Sequence, residues 1–471
     1  MLSLFRINDP YRLVILFILL LIFRISLLWV GVDITMPEVQ WMLIGEKLAN
    51  DGGIMYQDLW DTTGPLAVLV YRLLALLFDN SIWSYHALSL IVLFVQAAIF
   101  NHLLLSNKAY KENTFVPGFV YIILAHFFQE LMILSPPSMG LTFVLLSINN
   151  IFKRIDNQTR DDLFLYTGIS LGVASLFYLP YFIFFVIAVL SLVLFSGAIL
   201  RRILLLIHGY FMVMVLSGLY AYLYDAQYDW WDFYVASWWQ LDQLDFISSE
   251  SLMWCVLVPT LVLLIGIFKT YSLGRFVNHQ VKFQQVMLFL MVGGIFNLFT
   301  ADHWSLYQLI LLLPPMAFFV SHYLLLIRKM WQSELITLLI VLSVFGTHLT
   351  LAYNWFFVHE LISLNRMEAT FPEESEVIVD KKVLVLGPDS RYYCGNKLAS
   401  PFLNWQLSER VFKGLNYYLR IEQAHRGLIN DLPDVIVDLE NIVPLLFERL
   451  PLVERNYVRS QSEPKYYLKI D

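Results

Sequence analysis

Up to residue 357, most acidic side chains of this 471-residue chain gather in two stretches. Residues 31–64 hold Asp33, Glu38, Glu46, Asp51, Asp58 and Asp61, and residues 225–251 hold Asp225, Asp229, Asp232, Asp242, Asp245 and Glu250. A positioned carboxylate can take a proton as a general base. Glu38, with Asp33 five residues earlier, stands at the start of a helix-like segment, where a carboxylate also serves as a cap or a solvated face. Asp58 and Asp61 stand three apart before Gly64-Pro65. That spacing can hold a divalent metal or a polar ligand, and it can equally satisfy backbone amides in a turn. Arg24 and Glu130 fall inside apolar runs, where a charge is costly and is usually paired or functional. At 1.5 Å per residue, Arg24 lies about 9 Å below the end of its run, within reach of snorkelling. Tyr178, His303 and Tyr307 fall at the ends of apolar runs, the usual place of interface anchors. His303 and Tyr307 would lie one turn apart on a helix.

The elements that must position these groups are set by lipid. Of the chain, 58% is apolar and 15% charged, against about 25% charged in a soluble domain, and the mean hydropathy is +0.64. This excludes a purely soluble enzyme and a disordered or repeat-based chain. Two cysteines, Cys255 and Cys394, cannot build a disulfide framework. A net charge of −7 lacks the basic footprint of a nucleic-acid partner.

Apolar runs predict eleven spans, over 13–30, 82–105, 115–134, 139–152, 163–178, 180–198, 203–224, 252–268, 285–300, 304–327 and 335–357. A further run, 65–78, is placed at the interface by charge. With it there, the loops on one side carry fourteen Lys and Arg, from Arg6 to Lys329, while the opposite loops carry only Lys47 outside the 65–78 segment itself. This positive-inside asymmetry puts the N-terminus in the cytoplasm and the tail after Phe357 outside the inner membrane. Trp230, Trp231, Trp238 and Trp239 then read as an interfacial belt.

The tail, 358–471, has soluble composition. Strands are predicted at 383–387, 435–438 and 466–470, with helices at 408–427 and 441–450 between them. Such alternation argues for a small α/β domain. The tail has no Gly-rich phosphate loop. The expected division is thus a membrane domain over 1–357, with its first outer loop at 31–81, and an extracytoplasmic domain over 358–471.

Several stretches are distinctive in order and spacing. The first is Pro37-Glu38-Val39-Gln40-Trp41, a helical segment to Asn50, then Tyr56-Gln57-Asp58, Asp61 and Gly64-Pro65-Leu66 before an apolar helix. Gly168-Ile-Ser-Leu-Gly172 precedes Leu179-Pro180, and His303-Trp-Ser-Leu-Tyr307-Gln308 precedes Leu313-Pro314-Pro315. Leu432-Pro-Asp-Val-Ile-Val437 stands near the end. Together these resemble the C-type (GT-C) integral-membrane glycosyltransferases, in the branch of protein mannosyltransferases and the aminoarabinose transferase. The resemblance implies an all-α polytopic bundle, two interfacial helices in the first outer loop and an extracytoplasmic α/β domain. Trp41, Ile44 and Leu48 stand at helical spacing, so the first of these helices is expected to rest that apolar face on the bilayer. It also implies transfer of a sugar from a polyprenyl phosphate to an envelope acceptor, whether lipid, glycan or protein.

Such a reaction needs a base for the acceptor and stabilisation of the departing phosphate. The resemblance makes Glu38 the candidate base, with Asp33 as fallback, and Asp58 and Asp61 candidates for acceptor or metal. Arg24, Tyr178, His303 and Tyr307 become candidates for the donor phosphate. The departures are equally specific: Pro37-Glu38 replaces the usual Asp-Glu, Thr63 and Tyr178 stand where Lys is usual, and Ser138 replaces a second acid. The alternative is therefore a GT-C scaffold that has lost catalysis and serves as a subunit of an envelope assembly. A transporter fits less well, because no internal repeat is evident and the acids lie in outer loops.

Overall fold

The computed structural model of the chain describes residues 2–30, 34–127, 129–156, 159–197, 199–240, 244–245, 249–300, 303–304, 306–352, 369, 378–461 and 463–470. They form two units. One comprises Met1–Val32, Ile82–Leu216 and Leu244–Leu364; the other comprises Asp33–Ser81, Ser217–Gln243 and Asn365–Asp471. The expected domain boundary at 357 lies outside the described residues.

The first unit is built from helices at each of the eleven expected positions, from Arg12–Val30 to Met330–Ala352. Among the described residues, eight helices are long and apolar enough to cross a membrane, so the protein is an integral membrane protein. Val116–Ala125 and Asp162–Phe177 are shorter apolar helices. The 115–134 run is not one helix. It ends at Ala125 and resumes as a 3-10 turn at Gln129–Met132, before the Pro136–Asp156 helix. The 304–327 run likewise opens with the 3-10 stretch Leu306–Leu312 and continues as Leu313–Leu326.

Burial follows position in the bundle. Every residue of Val116–Ala125 is buried, whereas Leu257, Leu261, Leu264 and Phe268 line an exposed stripe of the Ser249–Leu273 helix. An apolar helix without polar face is stable in both settings only if lipid covers what protein does not. Gly168 and Gly172 give the Asp162–Phe177 helix a small-xxx-small face. A Cβ at Gly168 would meet the Leu206 carbonyl oxygen at 2.1 Å, and one at Gly172 would meet Val213 Cβ at 2.9 Å, so the neighbouring helix is backbone-close there.

In the second unit, Met36–Asp51 and Pro65–Phe78 are paired helices. A Cβ at Gly45 would lie 2.7 Å from the Tyr71 carbonyl oxygen, and Trp41 stacks on Tyr71 at 6.2 Å. The C-terminal sheet has five strands: β3 Lys382–Leu386, β4 Lys397–Leu398, β5 Val435–Asp438, β6 Tyr457–Arg459 and β7 Tyr466–Lys469. Two residue pairs, β1 Leu244–Asp245 and β2 His303–Trp304, precede them in the first unit. The sheet order is β4-β3-β5-β7-β6, parallel from β4 to β5 and antiparallel beyond. The expected 408–427 helix is two, Trp405–Phe412 and Tyr418–Asn430, because the chain turns through Gly414 between them. The first outer loop is tied to this domain: Trp60 N–H donates to the Pro401 carbonyl at 2.8 Å, and the indole sits in the core with Leu384, Phe402 and Ile436.

Candidate functional site

Glu38 occupies the third position of the Met36–Asp51 helix. Its carboxylate accepts the Thr35 backbone N–H at 2.7 Å, closing a capping box with Thr35. The residue is 4% exposed. Burial pushes its carboxyl up to about 7, opposed by the hydrogen bonds from Thr35. The side chain thus combines a cap's geometry with a base's proton affinity near neutral pH. Asp33 lies outside the described residues.

Asp58 and Asp61 both serve the turn between the paired helices. Asp58 Oδ2 accepts the Ile54 N–H at 2.8 Å from an exposed position. Asp61 is buried, and its Oδ1 accepts the Thr63 backbone N–H at 2.8 Å and the Thr63 hydroxyl. Tyr56, held at φ +74°, donates its hydroxyl to the Thr63 carbonyl at 2.8 Å. Both acids therefore do local backbone work. Among the described residues, no three His, Cys, Asp or Glu side chains stand together to hold a metal ion.

The face of the Met36–Asp51 helix expected to rest on lipid is covered. Trp41, Ile44 and Leu48 are buried inside the unit. The Pro65–Phe78 helix carries the exposed apolar face instead, through Leu69, Leu73, Leu76 and Leu77 at helical spacing. The segment after Tyr224 also belongs to this unit, and its aromatic side chains divide. Phe233 lies against Trp60 at 4.8 Å and Tyr234 against Tyr56 at 6.0 Å, while Trp231 and Trp239 are exposed. The backbone there takes a π-helical turn over Trp231–Ala236.

In the first unit, Arg24 does not snorkel. It is 2% exposed, on the Arg12–Val30 helix. Its Nη1 donates to the Leu131 carbonyl and its Nη2 to Ser89 Oγ, both at 3.1 Å, while Nε is buried without a partner. Among the described residues no carboxylate pairs with it. The side chain of Glu130, the other charge inside an apolar run, lies outside the described residues. His86 Nδ1 meets the Met132 carbonyl at 2.8 Å beside this group.

Tyr178 ends the Asp162–Phe177 helix and caps the 3-10 turn Leu179–Tyr181, with its ring edge-on to Tyr181 at 5.3 Å. His303 and Tyr307 are not one turn apart on a helix. His303 is in an extended pair with Leu244, and Tyr307 is buried in the 3-10 stretch that follows. Pro314 and Pro315 offer no backbone N–H to the carbonyls one turn before them, so an α-helix can start at them but not run through them. The side chain of His303 lies outside the described residues.

Sequence reading missed a charged network in the second unit. Asp431 accepts from both Lys47 and Lys382, the latter at 2.7 Å, and from the Ser400 backbone N–H at 3.3 Å. Lys47 also pairs with Asp51 at 2.7 Å. The signal was present: Lys47 is the single cation in its stretch of acids.

Residues 64–353 match the model of DUF6427, a family of unknown function. The chain belongs to that family. The DUF6427 match begins at Gly64, in the turn before the Pro65–Phe78 helix, and runs through the bundle. No curated protein matches the chain. Two similar solved structures are of ArnT from Cupriavidus metallidurans, one bound to undecaprenyl phosphate and one in the apo state. Each is 12% identical with a TM-score of 0.49, and they cover 71% and 69% of this chain. This chain spans 64% and 63% of theirs.

Proposed function

We propose that this DUF6427 protein is a GT-C-type membrane glycosyltransferase that moves a sugar from a polyprenyl phosphate to an envelope acceptor at the extracytoplasmic face. In that reaction an acceptor hydroxyl or amine attacks the anomeric carbon, and the bond from that carbon to the phosphate oxygen breaks. The proton passes to a carboxylate and the polyprenyl phosphate leaves with the bonding electrons. The observation that carries the reading is Arg24. A guanidinium buried in an apolar bundle is expensive unless a charge meets it. Among the described residues its Nε has no partner, and the two Nη groups reach only neutral oxygens. A phosphate supplies the missing negative charge, and arginine suits phosphate geometry. Tyr178, Tyr307 and His303 are proposed as neutral donors, and Glu38 as the base, with Asp33 as fallback. Asp58 and Asp61 keep the acceptor loop in shape.

The test is binding of undecaprenyl phosphate to the full chain in nanodiscs, followed by thermal shift. Wild type should be stabilised, Arg24→Ala should lose the response, and Arg24→Lys should keep part of it. A hydrogen bond to a charged group is worth about 1.5–3 kcal/mol, so the affinity should fall at least tenfold. Equal affinity in wild type and Arg24→Ala would remove the arginine from the donor site.

One observation favours the scaffold reading. Glu38, Asp58 and Asp61 each hold backbone amides, which is reason enough for their presence without catalysis.

A further inference from the structure

Arg72 is the single cation of the Pro65–Phe78 helix, and it stands inside that helix's exposed apolar stripe. Leu69 lies three residues before it and Leu76 four after it, and both are exposed. Residues at these spacings are neighbours on one helix face. The guanidinium is always charged. Among the described residues it is nevertheless in no ion pair, and its Nη1 reaches the Gly53 carbonyl only at 3.4 Å. Lys47, the cation of the partner helix Met36–Asp51, is by contrast held by both Asp51 and Asp431. Of the two paired helices, Arg72 thus carries the charge that lacks a counter-charge among the described residues.

A second observation sets the depth of this charge. Arg72 acts electrostatically on the Tyr220 phenol. Tyr220 stands three residues before the end of Leu200–Leu223, one of the helices long and apolar enough to cross a membrane. At 1.5 Å per residue it lies about 4.5 Å from that end, the level at which tyrosines meet lipid headgroups. Tyr220 and Tyr224 are both exposed, with ring centroids 5.0 Å apart, and each phenol carries an O–H donor. Arg72, Tyr220 and Tyr224 all belong to the second unit.

We propose that Arg72, with Tyr220 and Tyr224, holds the phosphate of a membrane lipid and so fastens the second unit to the leaflet its leucine stripe enters. The planar guanidinium matches two phosphate oxygens at once, and the phenols donate to those that remain. Leu69, Leu73 and Leu76 frame the cation on the same stripe, and helices that lie in the interface combine buried apolar area with attraction to anionic lipid. That framing makes a lipid the occupant, since a free phosphate gains nothing from the leucines. The proposal does not depend on the transferase reading, whose phosphate contact, Arg24, belongs to the first unit.

The experiment titrates the full chain in detergent with lipid and reads the first bound molecule by native mass spectrometry. The probes are dioleoylphosphatidylglycerol, dioleoylglycerol, which has the chains without the phosphate, and glycerol 3-phosphate, which has the phosphate without the chains. Phosphatidylglycerol should bind at least about fivefold tighter than dioleoylglycerol, and Arg72→Gln should remove about fivefold of that preference. Unchanged binding of dioleoylglycerol by Arg72→Gln would show that the variant is folded. Arg72→Lys keeps a point charge without the fork and should fall between the two. Tyr220→Phe should weaken phosphatidylglycerol by about twofold or more, and Arg24→Ala should keep the wild-type preference. Equal binding of the two lipids, a full preference in both Arg72 variants, or displacement of the lipid by glycerol 3-phosphate would each overturn the proposal. A preference lost in Arg24→Ala and kept in Arg72→Gln would send the lipid to the donor site and overturn it as well.

Discussion

Glu38 shows how one side chain can serve structure and chemistry through the same burial. The carboxyl is shifted from 4.5 to about 7 in the fold. In an unfolded chain it ionises near its ordinary value, so between these limits the folded form holds a proton that the unfolded form has lost. Stability from this group is fully present below pH 4.5 and is lost as pH rises through 7. The shift corresponds to about 3 kcal/mol. Thermal unfolding of the full chain should therefore show a melting temperature that falls from pH 4.5 to pH 7, and Glu38→Gln should flatten that slope. In a transfer assay the same variant should lower turnover by about 10²–10⁴-fold if Glu38 is the base. A flattened slope with full turnover would leave Glu38 as a cap alone and bring forward the scaffold reading. The cap was legible in the sequence, since Thr35 and Glu38 have the spacing of a capping box, and the proposed base was a candidate through the family resemblance. It could not choose between them, because burial is set by residues far along the chain. Ser400 shows the limit more sharply: among the described residues its buried hydroxyl has no hydrogen-bond partner, and nothing in its neighbours in sequence marks it.

At the level of elements, hydropathy located the helices and missed where they break. The eleven runs each contain a helix, because twenty apolar residues in lipid must close their own backbone hydrogen bonds. The 3-10 turns stand before or around Pro136, Pro180 and Pro314. Proline has no backbone N–H and its ring clashes with the carbonyl one turn back, so these breaks were written in the chain, while an averaged hydropathy smooths over them. The Pro65–Phe78 helix was placed by charge parity, and its length agrees. Fourteen residues rise about 21 Å, short of a hydrocarbon core of about 30 Å. Its exposed stripe of Leu69, Leu73, Leu76 and Leu77 has the form of a helix lying in the interface. A nitroxide at Leu77→Cys should be relaxed by oxygen and shielded from a water-soluble nickel chelate. Aqueous access equal to that of a label at Tyr418→Cys would show that this stripe is not in lipid. The expectation failed on the neighbouring helix because Trp41, Ile44 and Leu48 have two apolar surfaces to choose from, and Tyr71 lies on the nearer one.

For the whole molecule, the question that charge raises is which side of the membrane holds the second unit. Fourteen Lys and Arg in one set of loops, against Lys47 alone in the other loops up to residue 357 and outside the 65–78 segment, make the argument. A span count shifted by one would reverse every later loop. The assignment therefore stands or falls as a unit, and a single exposed position in the C-terminal domain can test it. Tyr418 is 83% exposed at the start of the Tyr418–Asn430 helix, and Lys111 is exposed in a loop of the opposite set. The native cysteines, Cys255 and Cys394, form no disulfide among the described residues and must first be replaced. In spheroplasts, a membrane-impermeant maleimide should label Tyr418→Cys at once and Lys111→Cys only after lysis. The reverse order would put the second unit in the cytoplasm, where Glu38 would face a different pool of ligands. It would also leave no route for an envelope acceptor to reach it.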